Sequence, residues 1–156
     1  MEKLLISACL LGRPCRYDGK SVPLPEAQLA ALRESFALIP VCPESDGGLP
    51  TPRIPSERQG DRVVNRAGED VTEAYRRGAA HALETVRREN CTLALLKERS
   101  PSCGNKTVYD GSFTGTLIPG EGVTAETLRK AGVVVYGESE LDELLSLDKP
   151  APDPYN

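Results

Sequence analysis

The sequence predicts an α/β protein, a single three-layer, Rossmann-like domain with a mainly parallel sheet of about four strands. Two observations favour this class. Four short runs rich in leucine, valine and isoleucine are each followed by a segment with helical spacing, and such alternation produces parallel strands with right-handed crossovers. The first run, residues 3–8, is almost continuously apolar, which is typical of a strand covered on both faces.

Strands and helices alternate along the chain. The strands are predicted at residues 3–8, 37–41, 92–97 and 133–136, and the helices at 25–35, 70–90, 124–131 and 139–147. Pro40 indicates an edge position or the end of the second strand, and Pro25 suits the first position of a helix. Asp70 and Glu73 have the spacing of a capping box for the long helix, and Thr124 is a suitable cap for the third helix.

Two long connections, residues 42–69 and 98–123, interrupt this alternation. Both are rich in glycine and proline, and ordered loops of this length in a compact domain are usually functional. The second contains an Asp-Gly turn between β-prone residues within 108–113, which predicts a small β-hairpin insertion. We expect one domain over residues 1–148 and a flexible, proline-rich tail over 149–156.

The composition is that of a small globular enzyme. The chain has 156 residues, 39% of them hydrophobic, and a formal net charge of −4, which argues against a nucleic-acid partner. No apolar run approaches the roughly 20 residues of a membrane span, and the first strand lacks the features of a signal peptide. The odd number of cysteines also makes a secreted disulfide framework improbable, so we expect a cytoplasmic protein.

Three of the five cysteines lie just beyond predicted strands. Cys9 follows the first strand, Cys42 the second, and Cys103 lies six residues beyond the third. The carboxyl ends of parallel strands share one edge of the sheet, where open α/β folds bind ligands, so we expect these thiols to meet. Cys15, in a loop at that edge, is either a further ligand or a neighbour, and Cys91 at the opposite edge is expected to be structural.

These thiols favour a soft metal centre. No C-x-x-C pair occurs and His81 is the single histidine, which disfavours zinc ribbons, dithiol redox centres and multi-histidine sites. Sulfur ligands suit zinc, copper(I) or an iron–sulfur cluster, and a cluster held by three cysteines leaves one iron open for Lewis-acid chemistry. Basic residues in the same loops would balance an anionic cluster: Arg13, Arg16, Arg53, Lys97, Arg99 and Lys106. The alternatives are a metal-binding regulatory or storage module and an enzyme with one nucleophilic cysteine.

Four motifs occur in order over about residues 3–140. They are S-A-C-L-L-G and P-C-R-Y-D-G between Ser7 and Gly19, V-C-P-E and G-G-L-P-T-P-R between Val41 and Arg53, S-P-S-C-G from Ser100, and Y-D-G-S-F-x-G from Tyr109. Together they resemble the motifs of the TudS-like thiouracil desulfidases, a bacterial family.

The resemblance implies a [4Fe–4S] cluster held by Cys9, Cys42 and Cys103, with Glu44 and Ser100 as the polar catalytic pair. It also implies a non-redox desulfidase whose substrate is a small thiolated nucleobase or nucleoside such as 2-thiouracil. The products would be the oxo base and hydrogen sulfide, and no flavin or nicotinamide is needed.

Overall fold

A computed structural model describes residues 1–147 of the chain. The strands are β1 (Glu2–Ser7), β2 (Phe36–Val41), β3 (Ser56–Gln59), β4 (Arg62–Asn65), β5 (Leu93–Leu96), β6 (Thr107–Tyr109), β7 (Leu117–Pro119) and β8 (Val134–Gly137). The helices are α1 (Glu26–Ser35), α2 (Pro43–Asp46), α3 (Thr72–Glu89), α4 (Val123–Lys130) and α5 (Leu141–Ser146), with short 3-10 helices at Ala8–Leu11 and Glu138–Glu140. The predicted tail, 149–156, and the predicted domain end at 148 lie outside the described residues.

The central sheet has four strands in the order β2-β1-β5-β8, and every neighbouring pair is parallel. The predicted α/β class and strand number are therefore confirmed. β2 lies at an edge of the sheet, as Pro40 indicates, because a proline cannot donate a ladder hydrogen bond to a second neighbour.

Helices cover both faces of the sheet. Successive side chains of a strand point to opposite faces, and β1 shows this clearly. Leu4 and Ile6 pack in one apolar cluster with residues of α1 and α5, whereas Leu5 packs in a second cluster with residues of α3 and α4. The side chains of Leu4, Leu5 and Ile6 are all fully buried. The fold is thus the predicted three-layer arrangement.

Two predicted helix caps are wrong. α3 begins at Thr72, and Asp70 accepts a hydrogen bond from the Thr72 N–H (2.9 Å), so Asp70 forms a turn ahead of the helix rather than a capping box with Glu73. α4 begins at Val123 with no side-chain cap. The Thr124 hydroxyl is fully buried and is hydrogen-bonded to the Ser102 hydroxyl (2.8 Å), so it holds the loop after β5 instead of the helix end.

The small hairpin insertion is confirmed, but its second strand is later than predicted. β6 and β7 pair antiparallel around a loop of residues 110–116. Gly111 and Phe113 lie in this loop rather than in a strand, because both adopt positive φ angles, which no strand allows. A second hairpin, β3–β4, was not predicted, since its short strands are mostly polar. Within residues 1–147, no helix combines the length and apolarity needed to cross a membrane.

Candidate functional site

One cavity of about 650 Å³ opens where β1, β2 and β5 end. Because the three strands are parallel, the segments that follow them share this edge of the sheet. The cavity wall contains every predicted site residue together with one further thiol: Cys9, Cys42, Cys103, Glu44, Ser100 and Cys15. Cys91 is buried in the apolar cluster beneath α3 and α4 and is not part of the cavity wall, consistent with a structural role.

Short, rigid segments present the thiols. Cys9 lies in the 3-10 helix directly after β1, and Cys42 lies between β2 and α2. Cys103 lies in the turn after β5, where its N–H donates to the Ser100 hydroxyl (3.1 Å). All three side chains are at least 90% buried, and each belongs to a free cysteine.

The thiols lie close to one another and to a negative charge. The Cys42 thiol is hydrogen-bonded to the carbonyl oxygen of Cys15 (3.9 Å) and to the Ser45 hydroxyl (3.3 Å). The hydrogen bond with Cys15, together with burial, raises the pKa of Cys42 above its ordinary value. Burial and the charge of Glu44 raise the pKa of Cys103 to about 12. The Cys42 and Cys103 thiols therefore stay protonated near neutral pH until a metal displaces their protons.

The chemistry of the donor set suits an iron–sulfur cluster, because cysteine sulfur is the ligand that such clusters take. In the described part of the chain, no three histidine, cysteine or acidic side chains are placed to hold one metal ion. A zinc ion needs its thiolates about 2.3 Å from a common centre, whereas each thiolate of an iron–sulfur cluster binds its own iron. His81 is exposed on α3 and lies 3.7 Å from Asp46, away from the cavity wall. The donor set is thus buried soft sulfur facing a wide cavity.

The Glu44 carboxylate is held from one side. Its Oε2 accepts hydrogen bonds from Arg53 Nε (3.1 Å) and from the Tyr75 hydroxyl (3.2 Å), and Arg53 Nη2 lies 2.9 Å away. The same guanidinium donates to the carbonyl oxygen of Cys15 (3.0 Å). Its side chain is only 6% exposed, so this ion pair is well shielded from solvent. Arg53 therefore links the carboxylate to the loop that carries the fourth thiol.

The Ser100 hydroxyl points its proton at Glu44. Its oxygen accepts hydrogen bonds from the N–H groups of Ser102 and Cys103, both at 3.1 Å. A hydroxyl has two acceptor lone pairs and one donor, so both lone pairs are used. The remaining proton is directed at Glu44 Oε1, 3.5 Å away. One carboxylate oxygen is thus bound to Arg53 and Tyr75, and the other faces Ser100.

The sequence did not predict that Tyr75 contacts Glu44. For Arg53 it predicted only a basic side chain near the cluster, not an ion pair with Glu44. Tyr75 has the helical spacing of the apolar stripe of α3, and it is 1% exposed, so periodicity alone makes it a core residue. The missed signal is chemical, because a buried tyrosine hydroxyl needs a polar partner. Burial and the charge of Glu44 raise the pKa of Tyr75, so the hydroxyl remains a donor at all ordinary pH values.

The cavity wall carries more basic than acidic side chains. Of the six basic residues predicted near the site, Arg13 and Lys106 lie off the wall, and Lys106 pairs with Glu140 (2.9 Å). The basic side chains on the wall are Arg16, Arg53, Arg66, Lys97 and Arg99, against the acidic Glu44, Glu57 and Glu98. This balance suits an anionic occupant.

The chain is similar to known proteins in sequence and in fold. A sequence model of the 2-thiouracil desulfurase family matches residues 4–140. The chain belongs to this family. It is 40% identical over 152 residues to the uncharacterized protein YbbK of Bacillus subtilis (strain 168), covering 91% of this chain and 99% of that protein.

A solved structure in the desulfurase family has the same fold. It is that of a [4Fe-4S]-dependent thiouracil desulfidase, TudS, with a TM-score of 0.90 and 48% sequence identity. The match covers 94% of this chain and 97% of that one. The resemblance drawn from the four motifs is therefore confirmed, and the chain is an enzyme of the desulfurase family.

Proposed function

We propose that this enzyme hydrolyses the carbon–sulfur bond of a thiolated pyrimidine such as 2-thiouracil, using a [4Fe–4S] cluster bound by Cys9, Cys42 and Cys103. The observation that carries the proposal is the shared cavity, where these buried thiols face the Glu44–Ser100 pair. The family and the [4Fe-4S] dependence of TudS support it. One water is consumed, its oxygen becomes the carbonyl of uracil, and both hydrogens leave as hydrogen sulfide. No electrons are exchanged.

Cys9, Cys42 and Cys103 would hold the cluster in the cavity. When bound, the cluster supplies an iron with an open position, a Lewis acid for the thiocarbonyl sulfur. The basic side chains of the wall would stabilise the negative charge of the bound cluster by Coulomb attraction. Cys15 remains beside the ligands with its carbonyl oxygen bound by Arg53.

Glu44 would act as the general base. Its Oε2 is occupied by Arg53 and Tyr75, so Oε1 is the oxygen available to the reaction. Oε1 accepts a proton from the water that attacks the thiocarbonyl carbon and later returns it to the departing sulfur. Arg53 and Tyr75 restrict the rotation of the carboxylate, which keeps Oε1 directed at the same position throughout.

Ser100 would orient this base. Because the Ser102 and Cys103 N–H groups occupy both lone pairs, the hydroxyl donates a hydrogen bond to Glu44 Oε1 rather than accepting a proton itself. Displacement of that weak bond (3.5 Å) by the substrate water costs little. Ser100→Ala should therefore reduce kcat by about tenfold, less than loss of the base itself, which should cost about a hundredfold or more.

The cluster assignment is tested by anaerobic reconstitution of cysteine variants. Absorbance near 400 nm, iron and sulfide content, and turnover of 2-thiouracil are measured for each. Cys9→Ala, Cys42→Ala and Cys103→Ala should each lose the cluster together with activity. Cys15→Ala is the matched control, because its thiol lies in the same cavity, and it should retain the cluster.

The outcomes separate the alternatives. A cluster retained in all three ligand variants would refute the assignment. Loss of the cluster in Cys15→Ala but not in Cys9→Ala would show that Cys15, and not Cys9, is the third cluster ligand. A protein that binds a metal but does not turn over 2-thiouracil would be a binding module. Glu44→Gln should keep the full cluster absorbance and lose turnover.

A further inference from the structure

We propose that Phe113 is the aromatic surface on which the pyrimidine ring of the substrate stacks, and that Glu57 is a positioning residue that holds Phe113 in place. The proposal rests on the proposed function, since it takes a flat thiolated pyrimidine as the substrate. Phe113 lies on the wall of the same cavity as the thiols and Glu44. Aromatic stacking gives affinity for a flat heterocycle without constraining its substituents.

Phe113 occupies an unfavourable backbone conformation. Its φ is +59°, in the left-handed region that favours glycine and is unusual for a bulky side chain. The residue is half-buried, lines the cavity, and belongs to neither of the apolar clusters that cover the sheet. A costly conformation that exposes a ring to a cavity, rather than burying it in the core, indicates a binding role.

The loop of residues 110–116 is fastened to β3 by side-chain hydrogen bonds. Glu57 Oε1 accepts hydrogen bonds from the N–H groups of Gly111 (3.0 Å) and Phe113 (3.1 Å). Gln59 Nε2 donates to the carbonyl oxygen of Gly111 (2.9 Å). These bonds join residues more than 50 positions apart, and one of them fixes the backbone of Phe113 directly. Glu57 thus stabilises the strained conformation.

A cation further restrains the ring. The Arg66 guanidinium carbon lies 5.8 Å from the centre of the Phe113 ring, within the range of a cation–π interaction, and Arg66 also lines the cavity. The ring is therefore held by its own backbone and by a neighbouring side chain before any ligand arrives. Such preorganisation lowers the entropic cost of binding a flat substrate.

The test separates substrate binding from folding. The reconstituted Phe113→Gly enzyme should show a KM for 2-thiouracil and an inhibition constant for uracil about tenfold higher than wild type, with kcat little changed. Its thermal midpoint should be equal to or above that of wild type, because glycine relieves the positive φ. Phe113→Tyr, which keeps the aromatic ring, should have a KM close to that of wild type.

One control isolates the effect of the positive φ, and one pair of variants tests the role of Glu57. Asn90 also has a positive φ (+56°), at the end of α3, so Asn90→Gly should raise the thermal midpoint and leave KM unchanged. Glu57→Ala should raise KM as Phe113→Gly does, whereas Glu57→Gln, whose carbonyl oxygen can still accept both N–H bonds, should retain a low KM.

A Phe113→Gly enzyme with wild-type KM and wild-type uracil inhibition would overturn the proposal. So would a lower thermal midpoint with an unchanged KM, which would make Phe113 a packing residue. Absence of turnover by the reconstituted wild-type enzyme would instead refute the proposed function. Uracil affinities measured by calorimetry on the same variants would then still decide the role of Phe113.

Discussion

Gly78 is the point where α2 and α3 touch backbone to backbone. A Cβ added at residue 78 would lie 1.9 Å from the carbonyl oxygen of Pro43, and its next neighbours are also main-chain atoms of Pro43. No side-chain rotation can relieve this overlap. An ordinary contact begins at 3.4 Å, so Gly78→Ala must separate the two helices by the difference, about 1.5 Å.

This displacement acts directly on the proposed general base, because Glu44 follows Pro43 in α2. A shift of about 1 Å in a catalytic group can cost about a hundredfold in rate, so we expect kcat/KM for 2-thiouracil to fall about a hundredfold. Overpacking costs about 1–3 kcal/mol, and the higher helix propensity of alanine returns about 1 kcal/mol. We therefore expect a net loss of up to about 2 kcal/mol in the free energy of unfolding.

Ala80→Gly is the matched control, since Ala80 is exposed on the same helix. It should lower the free energy of unfolding by about 1 kcal/mol through helix propensity and leave kcat/KM unchanged. The assays are urea unfolding and 2-thiouracil turnover by the reconstituted enzyme. A Gly78→Ala enzyme with wild-type kcat/KM would show that the contact between α2 and α3 does not position Glu44.

Three further changes test the fold. Hydrogen bonds from Thr72 lower the pKa of Asp70 to about 2, so its carboxylate stabilises the fold above about pH 4, and this stability is lost as pH falls through 2. Asp70→Asn should lower the thermal midpoint at pH 7, with the difference from wild type vanishing near pH 2. Leu144→Ala, at a fully buried side chain, should cost about 2–5 kcal/mol in urea unfolding, whereas Leu147→Ala, at a side chain 55% exposed, should cost less than about 0.5 kcal/mol. Cys91→Ala should retain the full iron and sulfide content after reconstitution, and loss of iron would contradict its structural assignment.

The parallel sheet and the meeting of the thiols could be predicted because they depend on short-range patterns. A continuously apolar run such as residues 3–8 indicates a strand covered on both faces, and parallel connection then places the residue after each strand at one edge. This rule correctly places Cys9 and Cys42 at that edge. Cys103 lies farther from its strand, yet the turn held by Ser100 returns it to the same cavity.

The caps and the second hairpin could not be predicted from local patterns. Thr124 resembles a helix cap in the sequence, but its hydroxyl is bonded to Ser102, 22 residues away, and such a partner is invisible to local pattern. β3 contains no apolar residue, and β4 contributes only Val63 to the interior, so neither shows the apolar–polar alternation that identifies a strand in the sequence. Their pairing depends on tertiary contacts.

By itself, the sequence determined the α/β class, the edge of the sheet that carries the thiols, and the family, because strand periodicity and motif spacing are properties of neighbouring residues. Only the tertiary structure decided how the Glu44 carboxylate is oriented and that Phe113 faces the cavity. Arg53, Tyr75 and Glu57 act through hydrogen bonds to residues 9, 31 and more than 50 positions away. Residues this far apart in the chain come together only on folding, so the sequence alone does not show which of them form hydrogen bonds with one another.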